Sequence, residues 1–585
     1  MNLGTRSEMR VTDFKDVIST FTAYKIVDAT LGWKNNERQN TAAVDKLNEE
    51  ELIRAYAFMA PSRIKSVNIE LDRSIKKTMK AERYGGPGTG RNGGGVRCGI
   101  IDDVQIKGAG TNCLVGKRSP LSHSNGTLNI IDACQEAIFS EVLNKLLPWG
   151  TGGVLGILFT GSAGAVSFYE QGEDIQFMQG ALLLREPVLR AAHFFPPEKF
   201  VPLARYEPDI DLGDERYTRL FDDLEGYLGK EKEFIRTIAQ YAQRAAMQFS
   251  YANVAGITHG SLSVSNLGID FKWIDLNCAS TVDNFRNYSI SSTYGVPSFS
   301  EEFKVPELII SKMIWEYGKC KNIVFDPTPV INYYRRIYDH YGAIYALNVL
   351  DFSEEEITGE SLIELGGHLA KAVAPAGPKI YNNPSKSEID LARATLIRSA
   401  YQAVIDGYRA TSSRASTKIA LSLKQKEIGK KFQSIWKELD ATYNEDKAIY
   451  KCIRSLRKCY MASFFHRDRI SIDLRLNSSR LQADNYVGKY IDLCLEVANW
   501  SLLGKNDTSK KVCILSFYSM EVYWVSGEGI LFYQDSVLCD VDDLDSSLDS
   551  WVRELQGRLE FAVEFEYVRY LRVILADIKS LAVGG

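Results

Sequence analysis

Thr258 to Asn277 reads THGSLSVSNLGIDFKWIDLN, and the chain is organised around it. His259-Gly260 opens the stretch, Ser265-Asn266 follows, and Asp275 comes nine residues after Asn266. An amide oxygen on a loop and a carboxylate on the strand after it can ligate one hard cation. Mg²⁺ suits such a pair, because it takes oxygen ligands and leaves room for phosphate oxygens. Asp275 is preferred over Asp270 as the metal carboxylate, since it follows an apolar run while Asp270 sits in the turn before it. A plain surface turn with a capping Asp is the competing reading, and the residues upstream weigh against it.

From Glu82 to Gly110 the chain runs ERYGGPGTGRNGGGVRCGIIDDVQIKGAG, with eight glycines between positions 85 and 99. Glycine permits close backbone approach, so N–H groups around Gly93, Gly94 and Gly95 can cradle phosphates. No GK[ST] opens a helix, so this is not a Walker loop. A strand-like run, Val104 to Ile106, leads to Lys107. A lysine on a strand behind a glycine loop is how kinase-like folds reach nucleotide phosphates. Residues 128–147 carry apolar side chains at Ile131, Cys134, Ile138, Val142 and Leu146, the spacing of a helix. Glu136 or Glu141 on that helix can pair with Lys107, and Asp132 suits its first turn. A strand over Gly180 to Leu184 ends at Arg185, and Arg190 follows. Two arginines after a strand can hold phosphate oxygens. His193 reads as a packed or surface histidine.

The flanks say less. The N-terminal 80 residues read as mainly helical, with helices over Glu49–Phe58 and Ile69–Met79. Val154–Phe159 and Ala165–Tyr169 read as a hairpin around Gly161 to Gly164. Glu215 to Val254 is helical, Asn277 to Phe299 a long loop, and Val305–Tyr317, Val330–Tyr345 and Leu362–Val373 are further helices. Pro375 to Pro384 marks a boundary. Beyond it, Ser387 to about Cys459 is helical and highly charged. Lys451, Arg454, Arg457, Lys458, Arg467 and Arg469 read as a solvated basic face rather than an anion-binding one. Val512–Val525 and Ile530–Val541 read as a hairpin around Gly527-Glu528-Gly529. Asp540 to Asp549 lacks the glycine and closing Glu of an EF-hand loop and reads as turn and cap for a helix from Leu548 to about Leu559.

Composition narrows the class. The chain has 585 residues, 45% apolar and 25% charged, with a net charge of −4. That balance is ordinary for a globular protein and argues against a dedicated nucleic-acid binder. None of the ten cysteines forms a CxxC pair. Reduced thiols in a cytoplasmic protein are expected, with no zinc site and no disulfide framework. The N-terminus has no apolar core of a signal peptide, and no run is apolar enough to suggest a membrane span.

Taken in order, these motifs resemble the SelO family, kinase-fold proteins that transfer AMP from ATP to protein hydroxyl groups. The family's Leu-Lys-Gly-Ala-Gly is matched by Ile106 to Gly110, and its Arg-Glu-x-x-x-Ser-Glu helix by Gln135 to Glu141. Its arginine pair corresponds to Arg185 and Arg190. Its His-Gly loop carries Asp-Asn and, ten residues after that Asp, a metal Asp; Ser265-Asn266 and Asp275 keep the spacing. The likeness spans roughly residues 80 to 290.

The resemblance implies an α+β, bilobal, protein-kinase-like fold with an additional α/β C-terminal region. Its parts would be a helical segment 1–80, an N-lobe 81–200, a helical C-lobe with the metal site 201–385, and an extension 386–585. Lys107 would contact phosphates and pair with Glu136. Arg185 and Arg190, helped by Lys117 and Arg118, would hold phosphates, and Asn266 and Asp275 would bind Mg²⁺. Two departures matter. Ser265 stands where the family has an acid, and Leu276-Asn277 follows the metal Asp. A hydroxyl acceptor gains from a carboxylate that takes its proton, and Ser265 is no base at neutral pH. An ionised carboxylate acceptor needs none. The resemblance therefore points to ATP- and Mg²⁺-dependent AMP transfer to a peptide or protein, through activation of a peptide C-terminal carboxylate. Such a step suits the microcin-maturation proteins that join a glycosylated siderophore to a peptide. The extension would then bind the peptide or a partner enzyme. The alternatives are an inactive ATP-binding scaffold and a small-molecule phosphotransferase.

Overall fold

The computed structural model describes residues 9–38, 44–64, 67–121, 124–161, 165–168, 175–283, 285–290, 295–381, 391–411, 423–439, 443–481, 485–503, 507–508, 510–517, 520–526, 528–534, 537–539, 570 and 573–574. It is a mixed α+β structure built on a large antiparallel sheet.

The first half of the chain supplies β1 (Ile18–Ile26), β2 (Thr30–Lys34), α1 (Glu49–Tyr56), β3 (Phe58–Met59), β4 (Leu71–Glu82), β5 (Cys98–Ile101), β6 (Val104–Lys107), α2 (Ile130–Leu146), β7 (Val154–Phe159), β8 (Ala165–Phe168), β9 (Ile175–Met178) and β10 (Ala181–Arg185). Eight of these strands form one sheet in the order β2-β7-β10-β6-β5-β4-β1-β3. Its register places the later site. Lys107 lies opposite Cys98 on one side and Leu183 on the other, and Gln105 lies opposite Ile100 and Arg185. Side chains alternate along a strand, so Gln105, Lys107 and Arg185 share one face. Val104, Ile106, Leu182 and Leu184 take the other face and pack with Leu52, Tyr56 and Phe58 around α1.

Helix α2 covers the charged face. Asn129 caps it by accepting the Asp132 N–H at 2.8 Å. Between Ile130 and Leu143 every residue but Asp132 is buried. A helix apolar and buried all round needs cover on every side. The sheet supplies one side, and the turn at Leu276–Cys278 together with α11 (Arg467–Leu476) and α12 (Tyr486–Leu503) supplies others.

The remaining elements are α3 (Glu215–Leu228), α4 (Lys232–Ala255), β11 (Ile257–Thr258), β12 (Ser280–Thr281), β13 (Arg286–Ser289), α5 (Lys304–Lys321), α6 (Thr328–Val349), α7 (Glu360–Val373) and β14 (Ala376–Tyr381). They continue into α8 (Leu391–Thr411), α9 (Leu423–Glu438), α10 (Glu445–Phe464), α11 (Arg467–Leu476), α12 (Tyr486–Leu503) and a meander of β15 (Lys511–Phe517), β16 (Met520–Val525), β17 (Gly529–Gln534) and β18 (Val537–Cys539). One hydrophobic core runs from Val11 to Ile574 and takes residues from each of the four expected segments. No helix among the described residues is long and apolar enough to cross a membrane. The nine described cysteines are free, and seven of them are buried.

Several local expectations are corrected. The expected helix over Ile69–Met79 is strand β4, paired with β1 from Ile18↔Glu82 to Ile26↔Leu71. Leu71, Ile75 and Met79 have helical spacing, but Ile75 is half exposed, and the long ladder with β1 overrides the local pattern. The N-terminal segment thus gives four strands to the sheet and one α-helix rather than being mainly helical. Strands β7 and β8 both exist but do not pair. β7 lies between β2 and β10, while β8 pairs with β9. In the C-terminal meander, the single strand expected over Val512–Val525 is the pair β15 and β16. The hairpin partner of β16 is β17, as expected. The expected boundary at Pro375–Pro384 contains strand β14, which runs parallel to β13. The acidic stretch 540–549 and the helix expected after it lie outside the described residues.

The basic cluster of α10 is a further correction, since it is not a solvated face. Lys451 and Arg457 are buried. Lys458 reaches Asp351 at 2.6 Å, Lys451 reaches Glu356 at 2.8 Å and Arg457 reaches Asp507 at 2.9 Å. Buried cations persist only when paired and hydrogen-bonded, and the carboxylates come from the loop after α6 and the loop before β15.

Candidate functional site

The ends of β6 and β10 and the second turn of α2 meet the loop held between β11 and β12. That loop folds back on itself. The Ile274 N–H donates to the Asn266 carbonyl at 3.2 Å, Leu267 and Trp273 form a β-bridge, and the Gly268 N–H donates to the Lys272 carbonyl at 2.9 Å. Asn266 and Asp275 are thereby brought across a small hairpin. No regular strand precedes Asp275; the expected one amounts to the bridges made by Trp273. Asp275 itself takes the left-handed conformation at φ 62°.

A compact ionic cluster forms there. Lys107 Nζ donates to Glu136 Oε2 and to Asp275 Oδ1, both at 2.6 Å. Arg185 Nη1 donates to Glu136 Oε1 at 2.6 Å and to Asp275 Oδ1 at 2.7 Å. Arg190 Nη1 lies 3.6 Å from Asp275 Oδ2 and donates to the Ser265 carbonyl at 2.6 Å. Of the two candidate glutamates, Glu136 is the one that pairs with Lys107; Glu141 instead accepts from Arg38 at 3.1 Å. Asp270 pairs locally with Lys272 across 3.8 Å. The Asp275 side chain is 19% exposed while Lys107, Glu136, Arg185 and Arg190 are all at 5% or below. The cluster therefore opens to solvent at Asp275.

Behind it lies a ring of polar groups in which Gln105, Glu82 and Tyr84 join Arg185, Arg190 and His193 and are absent from the sequence reading. Arg185 Nε donates to Gln105 Oε1, and Gln105 Nε2 donates to Glu82 Oε2. Glu82 Oε1 faces His193 Nε2 at 3.6 Å, and His193 Nδ1 accepts the Arg190 N–H at 3.1 Å. Arg190 also stacks over Tyr84, 5.0 Å from the ring centre. His193 is fully buried, a packed residue as expected. Gln105 is readable in principle, because it precedes Lys107 by two on a strand and so shares its face.

Electrostatics follow from burial and pairing. Burial works to raise the Asp275 pKa, but the charges of Arg185, Lys107 and Arg190 outweigh it and hold the carboxyl well below its usual range. Burial raises Glu82 despite Arg190 and Arg185. Burial, and then the Arg190 charge, pushes His193 well down. In direct contact, three cations face two carboxylates. That positive surplus, open on one side, suits an anionic ligand such as a phosphate chain.

Asn266 Nδ2 donates to the Ser261 carbonyl at 2.8 Å, and Asn266 Oδ1 accepts from the Ser265 hydroxyl at 3.5 Å. Asn266 Oδ1 and the Asp275 carboxylate are hard oxygen donors, a set that fits Mg²⁺ when phosphate and water oxygens complete the shell. Among the described residues, no group of three or more His, Cys, Asp or Glu is arranged to hold a metal without such help. Ser265 bonds to the Ser263 hydroxyl at 2.9 Å and is buried, so its position supplies no base.

The glycine stretch departs from expectation. The Gly93 N–H donates to the Leu114 carbonyl and the Gly95 N–H to the Glu82 carbonyl, both at 2.9 Å. Those two donors are used inside the protein and are not a phosphate cradle in this structure. Close packing explains these glycines instead. A Cβ on Gly94, at φ 150°, would meet the Glu82 carbonyl oxygen at 2.0 Å, and one on Gly93 would strike the Phe200 ring at 2.5 Å. Lys117 and Arg118 are exposed, and no described contact joins them to the cluster.

Glu302, from the turn before α5, anchors the start of the loop. It accepts from the Thr258 hydroxyl at 2.8 Å, the Gly260 N–H at 2.9 Å and the His259 N–H at 3.1 Å. His259 Nε2 in turn donates to the Ile274 carbonyl at 2.9 Å, tying the opening of the loop to its end. Nothing local in the sequence marks Glu302, which lies more than forty residues downstream. Burial pushes its pKa from 4.5 up to about 7. A raised folded-state pKa gives stability that is present below the unfolded value and lost as pH rises through the folded one. Relative to Glu302→Gln, the wild type is therefore expected to lose on the order of 3 kcal/mol between about pH 4.5 and 8. Urea denaturation across that range measures it, and a difference independent of pH would refute the assignment.

No family model matches the chain, and no curated protein matches it in a sequence search.

Proposed function

We propose that the chain is a kinase-like nucleotidyltransferase that uses ATP and Mg²⁺ to place AMP on a peptide or protein acceptor. The observation that carries this reading is the Lys107–Glu136 pair at 2.6 Å with Asp275 Oδ1 at 2.6 Å from the same Nζ. Support comes from the order of parts as well. Lys107 lies on the third strand counted from β4, the glycine stretch separates the first two, and the helix bearing Glu136 comes next. This is the arrangement by which protein kinases set a strand lysine against a helix glutamate. It makes a bilobal kinase-like fold our reading of the first 385 residues.

In this account Lys107, Arg185 and Arg190 hold and neutralise phosphate oxygens. Asn266 and Asp275 would hold Mg²⁺, which would add charge neutralisation at the same phosphates. Such sites work mainly by positioning and electrostatic stabilisation. Without a carboxylate at Ser265, the acceptor that suits the site best is one already ionised. A peptide carboxylate oxygen attacks the α-phosphorus, the bond from that phosphorus to the bridging oxygen breaks, and pyrophosphate leaves with both bonding electrons. The product is an acyl-adenylate, the kind of activated carboxylate that peptide modification of the microcin type requires.

A second reading, an ATP-binding scaffold for a partner enzyme, is favoured by Ser265 and by the three cations that already engage Asp275. Exchange of labelled pyrophosphate into ATP separates the two. Exchange that depends on a carboxylate acceptor is the expected result. ATP binding without exchange under every acceptor would favour the scaffold. A stable phosphoester of AMP on Ser, Thr or Tyr would rule out the carboxylate acceptor.

A further inference from the structure

Phe465 and His466 connect α10 to α11, and with Arg467, the first residue of α11, this short segment touches both sides of the ionic cluster. Toward the loop after Asp275, the Phe465 carbonyl accepts the Thr281 N–H at 3.1 Å. The Arg467 N–H donates to the Ser280 hydroxyl at 3.1 Å, and Arg467 Nε donates to the Asn277 carbonyl at 3.2 Å. Toward α2, Gln135 Nε2 donates to the Arg467 carbonyl at 3.2 Å. Gln135 immediately precedes Glu136, and Asn277 lies two residues after Asp275. One residue of the C-terminal region thus holds the neighbours of both carboxylates that share Lys107 and Arg185.

The burial of α2 points the same way independently. Its outer side is covered by α11 and α12, so the helix that carries Glu136 is set in place from two directions. A helix free to shift by a fraction of a turn would carry Glu136 away from Lys107. The hydrogen bonds at Gln135 and Arg467 resist that shift at the residue where it matters.

We infer that Arg467 is a positioning residue: it fixes the spacing between the Glu136 helix and the Asp275 loop, and through it the C-terminal region controls the cluster. Its consequence for turnover rests on the nucleotidyl-transfer reading, whereas the mechanical coupling does not. The test uses the full chain with Arg467→Ala, Arg467→Lys and Gln135→Met, each checked for folding by circular dichroism. Hydrogen exchange is followed in peptides covering 130–146 and 276–283. Arg467→Ala removes the side-chain bond to Asn277 while its backbone keeps the bonds to Gln135 and Ser280; it should speed exchange in 276–283 by about fivefold or more, and lower kcat by about tenfold with KM for the nucleotide within about twofold. Arg467→Lys, which keeps a donor toward Asn277, should recover most of kcat. Gln135→Met should speed exchange in 130–146 alone, and it carries the test should Arg467→Ala not fold.

Unchanged exchange in 276–283 with Arg467→Ala, or in 130–146 with Gln135→Met, would overturn the inference whatever the turnover. Faster exchange with unchanged kcat would also overturn it, reducing Arg467 to a structural tie. If the wild type turned over no ATP while 276–283 responded to Arg467→Ala and 130–146 to Gln135→Met, the positioning would stand and the nucleotidyl-transfer reading would fall.

Discussion

Asp275→Asn is expected to cost the protein about 3 kcal/mol of stability and to reduce ATP turnover by about 10³-fold or more. The substitution keeps the shape of the side chain and removes its charge. Arg185, Lys107 and Arg190 then face one another with only Glu136 in direct contact, and breaking a buried pair by losing one partner leaves uncompensated charge. The penalty sits at the lower end for such pairs because the Asp275 side chain is 19% exposed. The pH dependence carries a distinct sign. The folded-state pKa of Asp275 lies well below its ordinary value of 3.8. Its contribution is therefore present above about pH 4 and lost as pH falls through the folded value. Wild type should lose stability on acidification below pH 4 more steeply than the variant. Denaturant unfolding at pH 7 and through the acid range measures both effects. A variant as stable as wild type, with the same acid limb, would contradict the cluster.

Lys107→Met should separate activity from stability. Methionine fills the volume of the lysine stem, and Arg185 Nη1 still donates to both Glu136 and Asp275. The two carboxylates thus keep a cation, and the stability change should stay within about 2 kcal/mol. Phosphate contact is a different matter, because Lys107 is one of the three cations proposed to hold phosphate oxygens and methionine offers them no donor. Turnover should fall by about 10²–10³-fold. The pair of variants is informative together: Asp275→Asn harms fold and activity, Lys107→Met mainly activity. A Lys107→Met protein that turns over ATP at the wild-type rate would remove Lys107 from the site.

Much of this arrangement can be read from sequence where the signal is local. Lys107 follows a run of apolar strand residues, Glu136 lies on a helix with clear periodicity, and Arg185 ends a short apolar strand. Each carries its position in its immediate neighbours. What escapes local reading is set by pairing across the chain. Leu71, Ile75 and Met79 mimic a helix until β1 lies beside them, and with that strand misread, Glu82 at its end is invisible as a site residue. Glu302 and Arg467 reach the cluster's loop from far downstream, and no spacing rule connects them to it. The basic side chains of α10 look like a solvated face because their acidic partners, Asp351, Glu356 and Asp507, lie in distant turns. Gly93 and Gly95 carry a true signal with a different cause. Gly93 packs so tightly that a Cβ would strike the Phe200 ring, and the N–H groups of both bond to protein carbonyls.

The most direct test of nucleotidyl transfer is the fate of ATP labelled at the α-phosphate, given to the full-length protein with Mg²⁺ and candidate peptide acceptors. Expected are pyrophosphate and the α-label on the acceptor as an acyl-adenylate, recovered as AMP once water or a second nucleophile cleaves it, formed only with an acceptor present and lost in Asp275→Asn and Lys107→Met. Release of ADP, or no turnover with any acceptor despite ATP binding, would contradict it.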